Sequence, residues 1–200
     1  MVHPTHHFMN GLRELEIIFG RMLMLKETQE RMLSLQRRWQ SPEGQSILNQ
    51  VVNALRSGQP WTVYLESLPD IEDVMNERDL RGASLSGLDL KGVDFTDVAL
   101  EFVDLHGADL ENADFRGSEL NYANLSGANL TGANFENCLM VKADLTEANL
   151  SKTRLAGAAL TGANLVRADF SGADLSNAVL FGANTKGTVF INANMENVSW

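Results

Sequence analysis

The chain has 200 residues and a formal net charge of −10, with 16 Lys and Arg against 26 Asp and Glu. An acidic balance of this kind argues against direct binding of nucleic acid, whose phosphates need cations. The one cysteine, Cys138, excludes an internal disulfide, and no run of about eighteen uncharged apolar residues offers a membrane span.

Taken in chain order, residues 1–76 read as helices. The first apolar stretch, Ile17 to Leu25, contains Arg21 and follows Arg13, Glu14 and Glu16. It does not read as a secretory leader, so a cytoplasmic protein is expected. Leu15, Ile18, Met22, Leu25, Gln29, Met32, Gln36 and Trp39 step by three and four, a heptad stripe with two polar interruptions. Its apolar members Leu15, Ile18, Met22, Leu25 and Met32 are candidates for helical association. Two readings stay open: an amphipathic helix packed on its own chain, or a coiled-coil dimer. Ser41-Pro42-Glu43 predicts a second helix, with Ser as N-cap and Pro at the first helical position, ending at Gly58. Pro60 opens a short third helix with Trp61, Tyr64, Leu65 and Leu68, and Pro69 ends it. Asp70 to Asn76 is a connector.

From Leu80 to Trp200 every fifth residue is large and apolar. These 25 positions are sixteen Leu, five Phe, two Met, one Trp and Thr185. Two residues before each later one stands Ala in fifteen of 24 cases, and otherwise Val, Thr, Leu, Ser or Cys. The unit is seen in Ser126-Gly127-Ala128-Asn129-Leu130. A fixed short period marks a solenoid. Residues two apart in an extended segment point to the same side, and the remaining residues must turn the chain. A chain that turns the same way every five residues coils into a tube. Phe95, Phe115 and Phe135 are twenty apart, as are Phe170 and Phe190, so twenty residues per coil stacks like on like. Four sides, about six coils and a length of roughly 29 Å follow, at ~4.8 Å per coil.

Residues 77–200 resemble the pentapeptide-repeat proteins over 124 residues without a break. The resemblance implies a mainly β fold, a right-handed quadrilateral β-helix, here with a small N-terminal α-helical domain over residues 1–76 that caps the first coil or takes part in association. It also implies a rival function. The family includes proteins that mimic duplex DNA and bind type II topoisomerases such as gyrase.

Chemistry is sparse. His3 and His7 lie four apart with no Cys or carboxylate cluster beside them, and His106 is an outward turn residue. No phosphate-loop or dinucleotide fingerprint occurs, so no cofactor and no metal are expected. Most carboxylates sit at the outward position before the large residue, as a solvated surface. A regular tube also lacks the cleft that enzymes use, so the protein is not expected to be one. The outward residues are uneven. One wall, centred on Leu80, Leu100, Leu120, Met140, Leu160 and Leu180, carries Phe102, Tyr122, Leu139, Val141, Val179 and Phe181. These six are the candidate partner-binding residues. The cover is either the chain's own helix or another molecule. The expected function is a non-catalytic protein-interaction or scaffold rod that self-associates as a homodimer, with a protein partner of unknown identity. Charge weakens the topoisomerase alternative: residues 77–120 hold eleven acids and four bases, whereas residues 121–200 hold six and five.

Overall fold

The five-residue frame becomes a tube because each residue before a large one pairs with the residue twenty positions on. The computed structural model describes residues 24–67 and 78–200. Four parallel ladders run along the repeats, one per wall. One of them joins Asp79, Ala99, Glu119, Leu139, Ala159, Val179 and Ser199 in register, which gives the six coils expected. Hydrogen bonds link each coil to the next: Leu80 N–H donates to Ala99 O at 2.9 Å, and Ala99 N–H to Arg78 O at 3.0 Å.

The corners are turns of one kind. Ala83 N–H donates to Leu80 O at 3.0 Å, and the third turn residue, Gly82, has φ 71°. A positive φ at that position is the mark of a type II turn. The same corner recurs every five residues, and where it lacks Gly the side chain pays in backbone strain. Phe102, Tyr122, Lys142, Glu147, Lys152 and Arg167 all hold φ between 56° and 59°.

Inside, like stacks on like. Phe95, Phe115 and Phe135 stack with centroids 4.9 and 4.7 Å apart, and Phe170 lies 5.4 Å from Phe190. The large residues from Leu80 to Leu175 that share this core are fully buried. Polar residues at the small inward position are satisfied by backbone carbonyls. Thr153 Oγ1 donates to Leu150 O at 2.7 Å, and Cys138 Sγ to Phe115 O at 2.6 Å.

The chain divides into two compact units, Met1–Ser34 and Leu35–Trp200. In the first, residues 24–34 are helical, with Met24 and Leu25 exposed. Lys26 pairs with Glu30 at 3.8 Å across one turn.

The second unit opens with helical residues 35–40, followed by α1 at Pro42–Ser57. Ser41 caps α1: its Oγ accepts from Gly44 N–H at 2.9 Å, and Pro42 takes the first helical position. Gly58 ends it in the left-handed conformation. Ile47, Leu48, Val51, Val52 and Leu55 form its buried face, as the spacing predicts. The third helix is a 3-10 helix at Thr62–Ser67 rather than an α-helix. Its tighter pitch shows in the Tyr64 N–H bond to Trp61 O, three residues back, at 3.1 Å. Leu68 and the expected connector lie outside the described residues.

Among the described residues no coil precedes the first to donate to its carbonyls. In later coils that role belongs to backbone N–H groups, as when Leu90 N–H serves Asp109 O. On the first coil side chains take it over. Arg38 Nη2 and Trp39 Nε1 both donate to Arg81 O at 2.8 Å. Arg56 Nε donates to Asp89 O at 3.0 Å and Arg78 Nη2 to Asp94 O at 3.3 Å. Three carbonyls of an otherwise open sheet edge are thereby satisfied.

Candidate interaction surface

The wall that carries the Ala99 to Ser199 ladder holds the six candidate residues, but not as one exposed strip. Leu139 is 42% exposed and Phe181 66% exposed. Val141 and Val179 are half-buried beside them. Two coils earlier the picture changes. Phe102 is only 7% exposed and stacks on Tyr122, rings 5.1 Å apart and 14° from parallel. Lys142 Nζ then stands 5.4 Å over the Tyr122 ring, a cation–π contact. Phe102, Tyr122 and Lys142 occupy the same corner on three successive coils. Their shared positive φ holds them in one column. Phe102 is therefore a buried packing residue, and the exposed apolar surface is the distal group Leu139, Val141, Val179 and Phe181. Glu119, exposed on the same ladder, separates the two groups.

Of the helical stripe, Leu15, Ile18 and Met22 lie outside the described residues. Leu25 is exposed and Met32 half-buried. Away from the wall, Val189 and Ile191 are exposed on the last coil.

The acidic early coils are partly neutralised by ion pairs that the residue spacing does not reveal. Lys91 Nζ lies 3.0 Å from Asp109 and 3.5 Å from Glu111 on the next coil. Arg116 Nη2 lies 2.7 Å from Asp114, and this guanidinium lowers the Asp114 pKa. The deepest pair is Arg38 with Asp79, bidentate at 2.7 and 2.8 Å. Arg81 binds the same carboxylate at 3.0 Å through Nε and Nη2. Burial pushes the Asp79 pKa up, but the bonds from Arg38 and Arg81 outweigh it and bring it to about 2. Sequence reasoning missed this cluster. The available signal was that Asp79 is an acid on a ladder whose later members include Ala99, Leu139 and Val179. Nothing local announced Arg38, 41 residues away.

Little here suits reaction chemistry. Burial pushes the Cys138 thiol up to about 12 and leaves no useful thiolate. His106 Nδ1 lies 2.9 Å from Ser126 Oγ, but that hydroxyl donates to Asn124 Oδ1 at 2.6 Å. Its proton is thus directed away from the ring nitrogen. Among the described residues no group of His, Cys, Asp and Glu could hold a metal ion, and no helix is long and apolar enough to cross a membrane. An open recess of about 430 Å³ lies against Leu55, Trp61, Thr62, Arg78 and Asp94.

Comparison with known proteins places this architecture. The chain resembles a pentapeptide repeat protein from the Arabidopsis thaliana thylakoid lumen, 35% identical over 52% of this chain and 66% of that one, with a TM-score of 0.39. It also resembles QnrB1, a plasmid-mediated fluoroquinolone resistance protein, 25% identical over 55% of this chain and 60% of that one, TM-score 0.46. A third likeness is HetL from the cyanobacterium Nostoc sp. strain PCC 7120, a pentapeptide repeat protein involved in heterocyst differentiation regulation. It is 23% identical over 60% of this chain and 77% of that one, TM-score 0.23. The chain spans less than two thirds of the length of the first two. No curated protein matches it. The model of the pentapeptide repeats matches in eight copies across residues 77–97, 99–137, 138–177 and 168–199. With that match over more than half its length, the chain belongs to the pentapeptide-repeat family, and its tube is the right-handed quadrilateral β-helix.

Proposed function

We propose that this protein is a non-catalytic interaction module of the cytoplasm, a rigid β-helical scaffold that self-associates through its distal apolar wall. One observation carries the reading. Leu139 and Phe181 are large, apolar and exposed on the same wall, two coils apart, with half-buried Val141 beside Leu139, half-buried Val179 beside Phe181, and Ala159 on the coil between. Contiguous exposed apolar surface on a soluble protein marks a contact. The partner is a second copy or another protein, not nucleic acid, since the net charge is −10.

Replacing Leu139 and Phe181 together by Ser tests it. Both side chains are already in water, so the fold should persist. Wild type should show by light scattering a mass well above 22.0 kDa, and the double variant one near it. A specific dimer should bury on the order of 1,200–2,000 Å² in total. A wild type that stays near 22.0 kDa at high concentration overturns self-association.

The second reading is a DNA mimic that regulates a type II topoisomerase. It is favoured by the net charge of −7 over residues 77–120, from eleven acids and four bases. Against it stand the Lys91 and Arg116 pairs within that segment and the net −1 of residues 121–200. A gyrase supercoiling assay separates the two, and absence of inhibition at micromolar protein removes the mimic.

A further inference from the structure

If the first coil frays, a tube with a twenty-residue repeat offers nearly the same backbone edge at the next one. Repeat folds can form and propagate from any unit. Helices that seat on such an edge therefore need some feature that singles out one coil. Two residues of the first coil supply it. Asp79 stands on a ladder that continues with Ala99, Glu119, Leu139, Ala159 and Val179. Gly82 stands at a corner continued by Phe102, Tyr122 and Lys142.

Both are used by the helical residues. A Cβ on Gly82 would lie 2.8 Å from the Leu35 carbonyl carbon and 2.9 Å from the Gln36 nitrogen, so backbone passes directly over it. Beside it Arg38 reaches Asp79, with side chains 4% and 2% exposed. One coil further, Arg38 would face the methyl of Ala99, and the backbone of Leu35 would meet the Phe102 ring.

The pair is not fully satisfied. Arg38 Nε is buried without a hydrogen-bond partner among the described residues. Buried ion pairs are often no better than apolar replacements, and their best-attested use is to specify register. We propose that the Arg38–Asp79 pair is a register key, which makes the first coil, and no later one, the seat of residues 35–67.

The test replaces both partners with apolar groups, Arg38→Met with Asp79→Ala, in the full chain. The Trp39 indole N–H, bonded to Arg81 O at 2.8 Å, reports the seating in a proton–nitrogen NMR spectrum. The chain has three Trp, and Trp200, on the last coil, serves as the reference. Wild type should give one sharp Trp39 indole signal that exchanges slowly with solvent. The double variant, which also loses the Arg38 bond to Arg81 O and the Arg81 bonds to Asp79, should still unfold in one cooperative transition, while that signal splits or broadens and exchanges at least tenfold faster. A single sharp signal with wild-type exchange overturns the proposal. So does a double variant that no longer folds, because the pair would then be a stability element.

Discussion

The first coil and the distal coils share one interior and differ in almost everything outside it. Leu80 and Leu180 sit in the same kind of slot, each almost fully buried. Outside Leu80 lie a buried carboxylate, two guanidiniums and an indole. Outside Leu180 lie Val179 and an exposed Phe181. The inward residues make the tube and repeat because stacking rewards identity. The outward residues are released from that demand, so they carry whatever distinguishes one coil from another. In this chain the fold is written on the inward residues and the differences between coils on the outward ones.

The contrast can be broken first at the buried acid. Asp79→Asn leaves Arg38 without its counter-charge and should destabilise residues 35–67 and the first coil by about 3–5 kcal/mol. Urea unfolding followed by Trp fluorescence measures it. The same group predicts an acid limb. Its pKa is depressed from 3.8 to about 2, so its contribution is present above pH ~3.8 and is lost as pH falls towards 2. An Asp79→Asn variant should lack that limb between pH 4 and 2.

The interior offers the next largest effect and should be blind to position along the tube. Leu125→Ala and Leu150→Ala each open a cavity in a stacked ladder and should lose about 2–5 kcal/mol. Both side chains are fully buried. Thr131→Ala, on the outward side of the same coils, should stay within about 0.5 kcal/mol. Coincident midpoints for the two classes would mean that the inward and outward assignment is wrong.

A smaller change sharpens the comparison at the corners. Lys152 holds φ 59° with an exposed side chain. Lys152→Gly should relieve the left-handed strain and raise stability by up to about 1 kcal/mol, net of glycine's larger unfolded-state entropy. The smallest effect concerns Cys138, buried with its pKa near 12. A thiol reagent should label it only at the rate of unfolding, and fast labelling of native protein would place it outside the core.

What the sequence disclosed follows the same division. The tube, its coil number and the Phe95–Phe115–Phe135 stack were legible because a period repeated many times averages out local exceptions. The α1 helix was legible because Ser41, Pro42 and Gly58 are local signals. The Arg38–Asp79 contact was not, because it joins two segments with no shared pattern. The burial of Phe102 was hidden for another reason. The spacing assigns it correctly to an outward corner, but a corner residue with a large ring can lie down along the column and stack on Tyr122.

The uniform corner has one more consequence. Because every five residues turn the chain by a quarter revolution, length and azimuth are the same variable in this molecule. A duplication of twenty residues would move Phe181 about 4.8 Å along the axis and leave it facing the same way. An insertion of five residues ahead of Leu139 would swing it to the neighbouring wall while leaving every interior slot filled. Selection on a partner that reads both ends of the tube would therefore accept insertions only in multiples of twenty, whereas selection on the fold alone would accept multiples of five.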